Sequence, residues 1–190
     1  MSKKLGVAII GCGNISIRHF EPIEVLENVE LPLVYQGMEL YDRREMAMEA
    51  LDQVGLRGKE EMNYLHLSEG QKQLCILART LVTESKLLLL DEPESALDFR
   101  FRNQMLSLLR SWVASEKRSA VVTLHDPALA LNFCDKLLLV SDGGVLGILE
   151  PKTDSLDKME QMLSMVYGPI SLQRCLNRKG EAQIVMLREE

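Results

Sequence analysis

Four consecutive leucines, Leu87 to Leu90, run into Asp91, Glu92 and Pro93, and this stretch constrains the fold of the chain more than any other. An unbroken apolar run of that length, closed by acids and a proline, predicts a strand covered on both faces, as in a parallel sheet, rather than an alternating edge strand. A second such run, "SAVVTLHD", ends in His125 and Asp126, and "LGVAII", Leu5 to Ile10, ends at a glycine turn. Between them the apolar residues recur at helical spacing: Met46, Ala47, Ala50, Leu51 and Val54 behind Asp42 as N-cap and before Gly55; Leu74, Leu77, Ala78 and Leu81 in a helix from about Gly70 to Val82; Phe101, Met105, Leu108, Leu109 and Trp112 in a helix from Arg100 to Val113. Strands alternating with helices predict an α/β architecture with a parallel sheet. Pro32 and Gly37 punctuate "LPLVYQG". Beyond His125 the pattern predicts a helix in "PALALNFC", two strands about the turn "DGG", a helix in "SLDKMEQMLSMVY" and a last strand "AQIVML".

Composition narrows the function. At 190 residues one domain with its own core is expected, and 46% hydrophobic with 26% charged residues suits a globular chain. A net charge of −6 offers no general attraction to nucleic acid or anionic lipid. No apolar run approaches the ~18 residues that span a bilayer, and "MSKKLGVAIIGCGNIS" lacks a leader-like cleavage site, so a cytoplasmic location is expected. Cys12, Cys75, Cys134 and Cys175 form no C-x-x-C pair, which argues against zinc and a disulfide framework and predicts small buried hydrophobes.

Ligands of open parallel sheets bind beyond the carboxyl ends of the strands. Asp91 and Glu92 fall there, and so does His125 on the neighbouring strand. One carboxylate can orient a hydrated Mg²⁺, the next can polarise a water, and a histidine can meet a terminal phosphate, which together are parts of a phosphoryl-transfer site. The turn "LSEGQ", Leu67 to Gln71, opens into a helix and adds N–H groups that favour an anion. A plain N-cap explains the same turn equally simply.

In this order the residues resemble the nucleotide-binding subunits of ABC transporters. "LSEGQ" resembles the signature LSGGQ with Glu69 substituted, "LLLLDEP" the Walker B strand, "SALD" (Ser95 to Asp98) the D-loop, and His125 in "TLHD" the switch histidine. The resemblance implies a P-loop NTPase-like α/β fold, with a helical subdomain and signature helix at about 24–83, a Walker B, D-loop and H-loop core at about 84–150, and a C-terminal helix and strand at 151–190 of one domain. It implies ATP and Mg²⁺ as cofactors, with Asp91 holding Mg²⁺, Glu92 the general base and His125 on the γ-phosphate. Ser68, Glu69, Gly70 and Gln71 would face ATP held by a second ATP-binding subunit in a head-to-tail homo- or heterodimer, with Asp98 at the same interface. A membrane permease would be the other partner, and the segment after His125 is similar to importers of iron-siderophore, haem or cobalamin type.

The family's phosphate loop G-x-x-x-x-G-K-[ST] is missing. "GCGNISIR", Gly11 to Arg18, has neither the lysine nor the hydroxyl where they are needed. The N-terminal portion therefore reads as truncated or degenerate, and weak or no ATP hydrolysis is expected of the chain alone. A non-catalytic module serving a complete ATPase is the alternative. "VAIIGCGNIS" also resembles the turn of NAD-binding Rossmann domains, but its third position is Ser16 and the ribose-binding acid has only a poor candidate in Asp42.

Overall fold

A computed structural model describes residues 7–9, 23–95, 97–115 and 118–188. The turn from Gly11 to Ser16, Cys12 and the glycine-rich stretch to Arg18 lie outside the described residues, as does Ala96. The described chain forms two compact units, dividing between Thr123 and Leu124.

In the first unit, β1 (Val7–Ile9), β2 (Leu87–Leu90) and β3 (Ser119–Val122) form a parallel sheet in that order. The register sets Leu87 beside Val7 and Ser119, and Leu90 beside Val122. Helices α1 (Val25–Tyr35), α2 (Leu40–Gln53) and α3 (Glu69–Leu81) pack on one another, and α4 (Phe99–Ser115) packs on β3. The helical cluster closes over Val25, Leu26, Val29 and Leu33 of α1, Ala47, Ala50 and Leu51 of α2, and Leu74, Cys75, Leu77 and Ala78 of α3, all buried. Side chains three and four apart share a helix face, which is why these apolar residues converge.

Several boundaries differ from expectation for identifiable reasons. Pro32 does not end α1 but sits inside it. An interior proline costs roughly 3 kcal/mol, and the fully buried stripe on either side of it, Val29 and Leu33, offsets that. Gly37 does end the helix: at φ +74° its N–H reaches the Val34 carbonyl at 3.0 Å and the Met38 N–H reaches Leu33 at 3.1 Å, a Schellman closure. Gly55, at φ +78°, ends α2 in the same way, with Leu56 N–H on Leu51 at 2.8 Å. Asp42 is not the N-cap of α2, which starts two residues earlier after Glu39; it lies in the first turn, where a carboxylate still complements the helix dipole. Neither apolar run is buried throughout on both faces: of Leu87 to Leu90 only Leu88 is fully buried, and in β3 Val121 is 58% exposed.

The second unit holds α5 (Pro127–Phe133), β4 (Leu137–Ser141), β5 (Gly144–Leu149), α6 (Leu156–Tyr167), β6 (Ile170–Leu176) and β7 (Ala182–Arg188). Its two sheets are antiparallel hairpins, so the parallel pattern does not extend beyond β3 among the described strands. Asp142 and Gly143, at φ +51° and +74°, join β4 to β5 as the positive-φ pair that a tight hairpin turn demands. The core runs through Leu131, Leu137, Leu139, Leu149, Met159, Leu163, Ile170, Leu172 and Ile184. Strand β6 was not expected from the sequence. Cysteines behave unevenly: Cys75 is buried, Cys134 half-buried and Cys175 exposed, so the expectation of buried small hydrophobes fails at Cys175.

Candidate functional site

Because β2 and β3 are parallel and in register, the residues that follow them emerge side by side. Asp91 and Glu92 leave β2 while Thr123 leaves β3, and the Thr123 N–H donates to the Leu90 carbonyl at 3.0 Å, one further rung of the sheet. The Thr123 hydroxyl donates to Asp91 Oδ1 at 2.7 Å and accepts the Glu92 N–H at 2.8 Å. Glu92 takes φ +43°, a left-handed conformation unusual for a residue with a side chain. Its carbonyl accepts from the Ser95 N–H at 3.1 Å, which starts the turn toward α4. Asp91 is exposed and Glu92 half-buried, so both carboxylates stand at the mouth of the sheet rather than in its core.

Asp98 is exposed at the start of α4, where its Oδ1 accepts the Phe101 N–H at 2.9 Å and caps the helix. Glu94, in the loop between, is buried at 4% exposure, and its Oε2 has no hydrogen-bond partner among the described residues. A cavity of about 20 Å³, room for roughly one water, lies between α3 and the end of β2, lined by Gln73, Leu77, Thr80, Asp91 and Met105 among others. The helix that begins with "SEGQ" thus runs past Asp91.

At the head of that helix Ser68 is the N-cap. Its hydroxyl accepts the Gln71 N–H at 3.3 Å and the Gln71 side chain accepts the Ser68 N–H at 3.2 Å, a reciprocal capping box. Glu69 pairs with Lys72 at 2.7 Å, and Gly70 sits within the first turn. Burial pushes the Cys75 thiol on the same helix up to about 12, against the opposing pull of Arg79. His125 belongs to the second unit, exposed in the bend before α5, whose N-cap is Asp126, with Ala128 and Leu129 N–H groups on its carboxylate.

The structure therefore brings Asp91 and Glu92 together and adds Thr123, which sequence reasoning passed over. A threonine in a β-branched strand looks ordinary, and only the register of β3 on β2 shows that it faces both acids. The site fits a hydrated Mg²⁺ in its chemistry. Asp91 offers a hard carboxylate oxygen at the open end of the sheet, and Mg²⁺ takes one or two carboxylates while keeping several waters. Asp91 Oδ1 is engaged by Thr123, and Oδ2 accepts no hydrogen bond among the described residues.

Residues 10–95 match a family model described as ABC transporter. An uncharacterised ABC transporter ATP-binding protein, YvrO of Bacillus subtilis, is 37% identical over 64% of this chain and 52% of its own length. The glutamate transport ATP-binding protein GluA of Corynebacterium efficiens is 33% identical over 73% and 57%, and the macrolide export protein MacB of Chromobacterium violaceum 37% identical over 65% and 19%. The chain thus spans about half the length of two of these curated relatives and about a fifth of the third. Among solved structures, an ABC transporter assigned to the metal-chelate type, in an inward-facing conformation, superimposes with TM-score 0.74 at 27% identity, covering 89% of this chain and 68% of that one. The ATP-binding cassette MJ0796, dimeric and bound to ADP and Pi, superimposes with TM-score 0.64 at 30% identity over 70% and 59%. In sequence the chain is similar to ABC transporter ATP-binding proteins, and its fold is the ABC ATPase form of the P-loop NTPase fold.

Proposed function

We propose that this chain supplies the signature and Walker B surfaces of an ATP-binding subunit that drives an ABC importer. The carrying observation is the pair Asp91 and Glu92 held side by side at the open end of β2 by one hydroxyl. In this reading Mg²⁺, when bound, neutralises charge on the phosphates. Asp91 orients its hydration shell, and Glu92 accepts the proton of the attacking water. Ser68, Glu69, Gly70 and Gln71 present the positive end of α3 to the γ-phosphate of ATP held by a second subunit, and Asp98 lines the same interface. His125 contacts the γ-phosphate in the same reading, apart from the surface that α3 offers to the second subunit. The residues 1–190 act as one ABC ATPase-like domain at the cytoplasmic face of a membrane.

A permease partner is supported by the helical cluster. An open groove of about 590 Å³ is lined by Leu26, Tyr41, Met48 and Met62 with Arg44, Glu45, Glu60 and Glu61, and Tyr41 in it is well exposed. A surface that mixes apolar and charged side chains suits a protein partner. The likeness to a metal-chelate type transporter favours an importer.

No G-x-x-x-x-G-K-[ST] occurs in the 190 residues, and that favours a second reading, a non-catalytic module completing the site of another subunit. Titration calorimetry with Mg²⁺ and ATP on this chain, and turnover assays on it and on Glu92→Gln, test the first reading. Little binding and little turnover are expected from the chain alone, with turnover appearing beside a subunit that carries the phosphate loop. Loss of that turnover in Glu92→Gln supports the catalytic role. Turnover that survives Glu92→Gln leaves only the module reading.

A further inference from the structure

We infer that Thr123 is a positioning residue that sets the relative geometry of Asp91 and Glu92. The inference rests on the reading of those two acids given above. A hydroxyl has one proton to donate and lone pairs to accept, and here both functions are used within one small cluster. The proton goes to Asp91 Oδ1 at 2.7 Å and the oxygen takes the Glu92 N–H at 2.8 Å. Donation to a carboxylate is a charge-assisted bond, and it polarises the hydroxyl oxygen so that it accepts more strongly. The bonds therefore run in one direction, from the Glu92 amide through Thr123 to the Asp91 carboxylate.

Two further features make the tie consequential. Glu92 sits at φ +43°, where a side chain is disfavoured, and such a conformation persists only when its surroundings hold it. The Thr123 hydroxyl supplies an anchor for its amide. Thr123 itself is fixed by its own N–H on the Leu90 carbonyl at 3.0 Å, so its side chain is placed by the sheet register and not by the loop it restrains. β3 thereby contributes to the acid pair directly, one residue beyond its last paired position.

The test uses this chain as it stands, with nuclear magnetic resonance reading the Glu92 amide exchange rate, the Asp91 side-chain carboxyl signal and the response of both to Mn²⁺ as a paramagnetic substitute for Mg²⁺. Thr123→Val keeps shape and removes the hydroxyl, Thr123→Ser keeps the hydroxyl, and Asp91→Asn removes the charge that polarises it. The expected result is that Glu92 exchange accelerates about 2- to 13-fold in Thr123→Val, as the loss of one hydrogen bond implies. It should accelerate less in Asp91→Asn and stay near the parent rate in Thr123→Ser. The Asp91 carboxyl signal should move in Thr123→Val and return in Thr123→Ser, and more Mn²⁺ should be needed to broaden it in the valine variant. Unchanged Glu92 exchange in a folded Thr123→Val overturns the inference, and so does an Asp91 signal indifferent to the hydroxyl. If the valine variant does not fold, parent-like Glu92 exchange in Asp91→Asn overturns it as well. Absence of Mn²⁺ broadening in the parent chain instead removes the metal role of Asp91, while the exchange rates still decide the role of Thr123.

Discussion

Asn132, near the end of α5, acts as a short piece of strand. Its Oδ1 accepts the Ile184 N–H and its Nδ2 donates to the Ile184 carbonyl, both at 2.8 Å, while Nδ2 also reaches the Ala128 carbonyl at 2.7 Å. The side-chain amide thus satisfies both backbone groups of a residue on β7 and ties helix to hairpin. Asn132→Ala removes, besides the bond to Ala128 within its own helix, the two hydrogen bonds to Ile184, worth about 0.5 to 1.5 kcal/mol each, in a half-buried place where water repairs the loss only in part. Alanine recovers roughly 0.5 kcal/mol of helix propensity. A net loss of about 0.5 to 2.5 kcal/mol follows, and with a urea m-value of about 2 kcal/mol/M it lowers the midpoint of this unit by about 0.25 to 1.25 M. Asn132→Asp keeps the acceptor, loses the donor and sets a carboxylate against the Ile184 carbonyl, so it should cost more than alanine at neutral pH. Hydrogen exchange of residues 182–188 under urea reads this loss directly. Parent-like exchange at Ile184 in Asn132→Ala would refute the reasoning, because the two bonds would then carry no free energy.

Thiol chemistry should separate the cysteines. Exposed Cys175 should label rapidly at pH 8, while Cys75, buried and with its thiol pushed up to about 12, should label only on unfolding, as peptide mass spectrometry would show. The same shift makes stability depend on pH. The native state keeps the Cys75 proton that the unfolded chain releases near its ordinary value of 9.0, so this contribution is whole below pH 9 and is lost as pH rises toward 12. Its slope is at most about 1.4 kcal/mol per pH unit, and Cys75→Ala should flatten the denaturation midpoint against pH over that window.

The sheet and the helical cluster were legible because single local rules governed them. A four-leucine run admits few environments, and the stripe Leu74, Leu77, Ala78 and Leu81 names its buried face without help from the rest of the chain. β6 was hidden by its own chemistry. Ile170 and Leu172 face the core, but the next residue on that face is Arg174, whose guanidinium leaves the stripe to donate to the Pro151 and Asp154 carbonyls at 3.3 and 3.4 Å. A charge in the third inward position erases the period-2 signal that would have announced a strand. The site divides the same way. Asp91 and Glu92 were visible as polar residues at a strand end, whereas Thr123 depends on the register of Leu90 against Val122, a relation between segments 32 residues apart that no local pattern encodes.

Ser68 shows how one residue can satisfy two readings, and how to separate them. As N-cap it needs only an oxygen for the Gln71 N–H at 3.3 Å, and serine, aspartate and asparagine serve that purpose about equally. As a phosphate ligand it needs a neutral hydroxyl beside the positive end of α3, and an aspartate there would repel the anion it was meant to bind. Ser68→Ala should therefore lose about 1 kcal/mol of stability, by the usual cost of a missing cap. Ser68→Asp should stay within about 0.5 kcal/mol of the parent, since Glu69 beside it is already answered by Lys72 at 2.7 Å. ATP-dependent association with a subunit carrying the phosphate loop, followed by sedimentation, should weaken more in Ser68→Asp than in Ser68→Ala, the reverse of the stability order. If association instead follows stability, weakest in alanine and near-normal in aspartate, then Ser68 is a helix cap alone and the anion is held elsewhere.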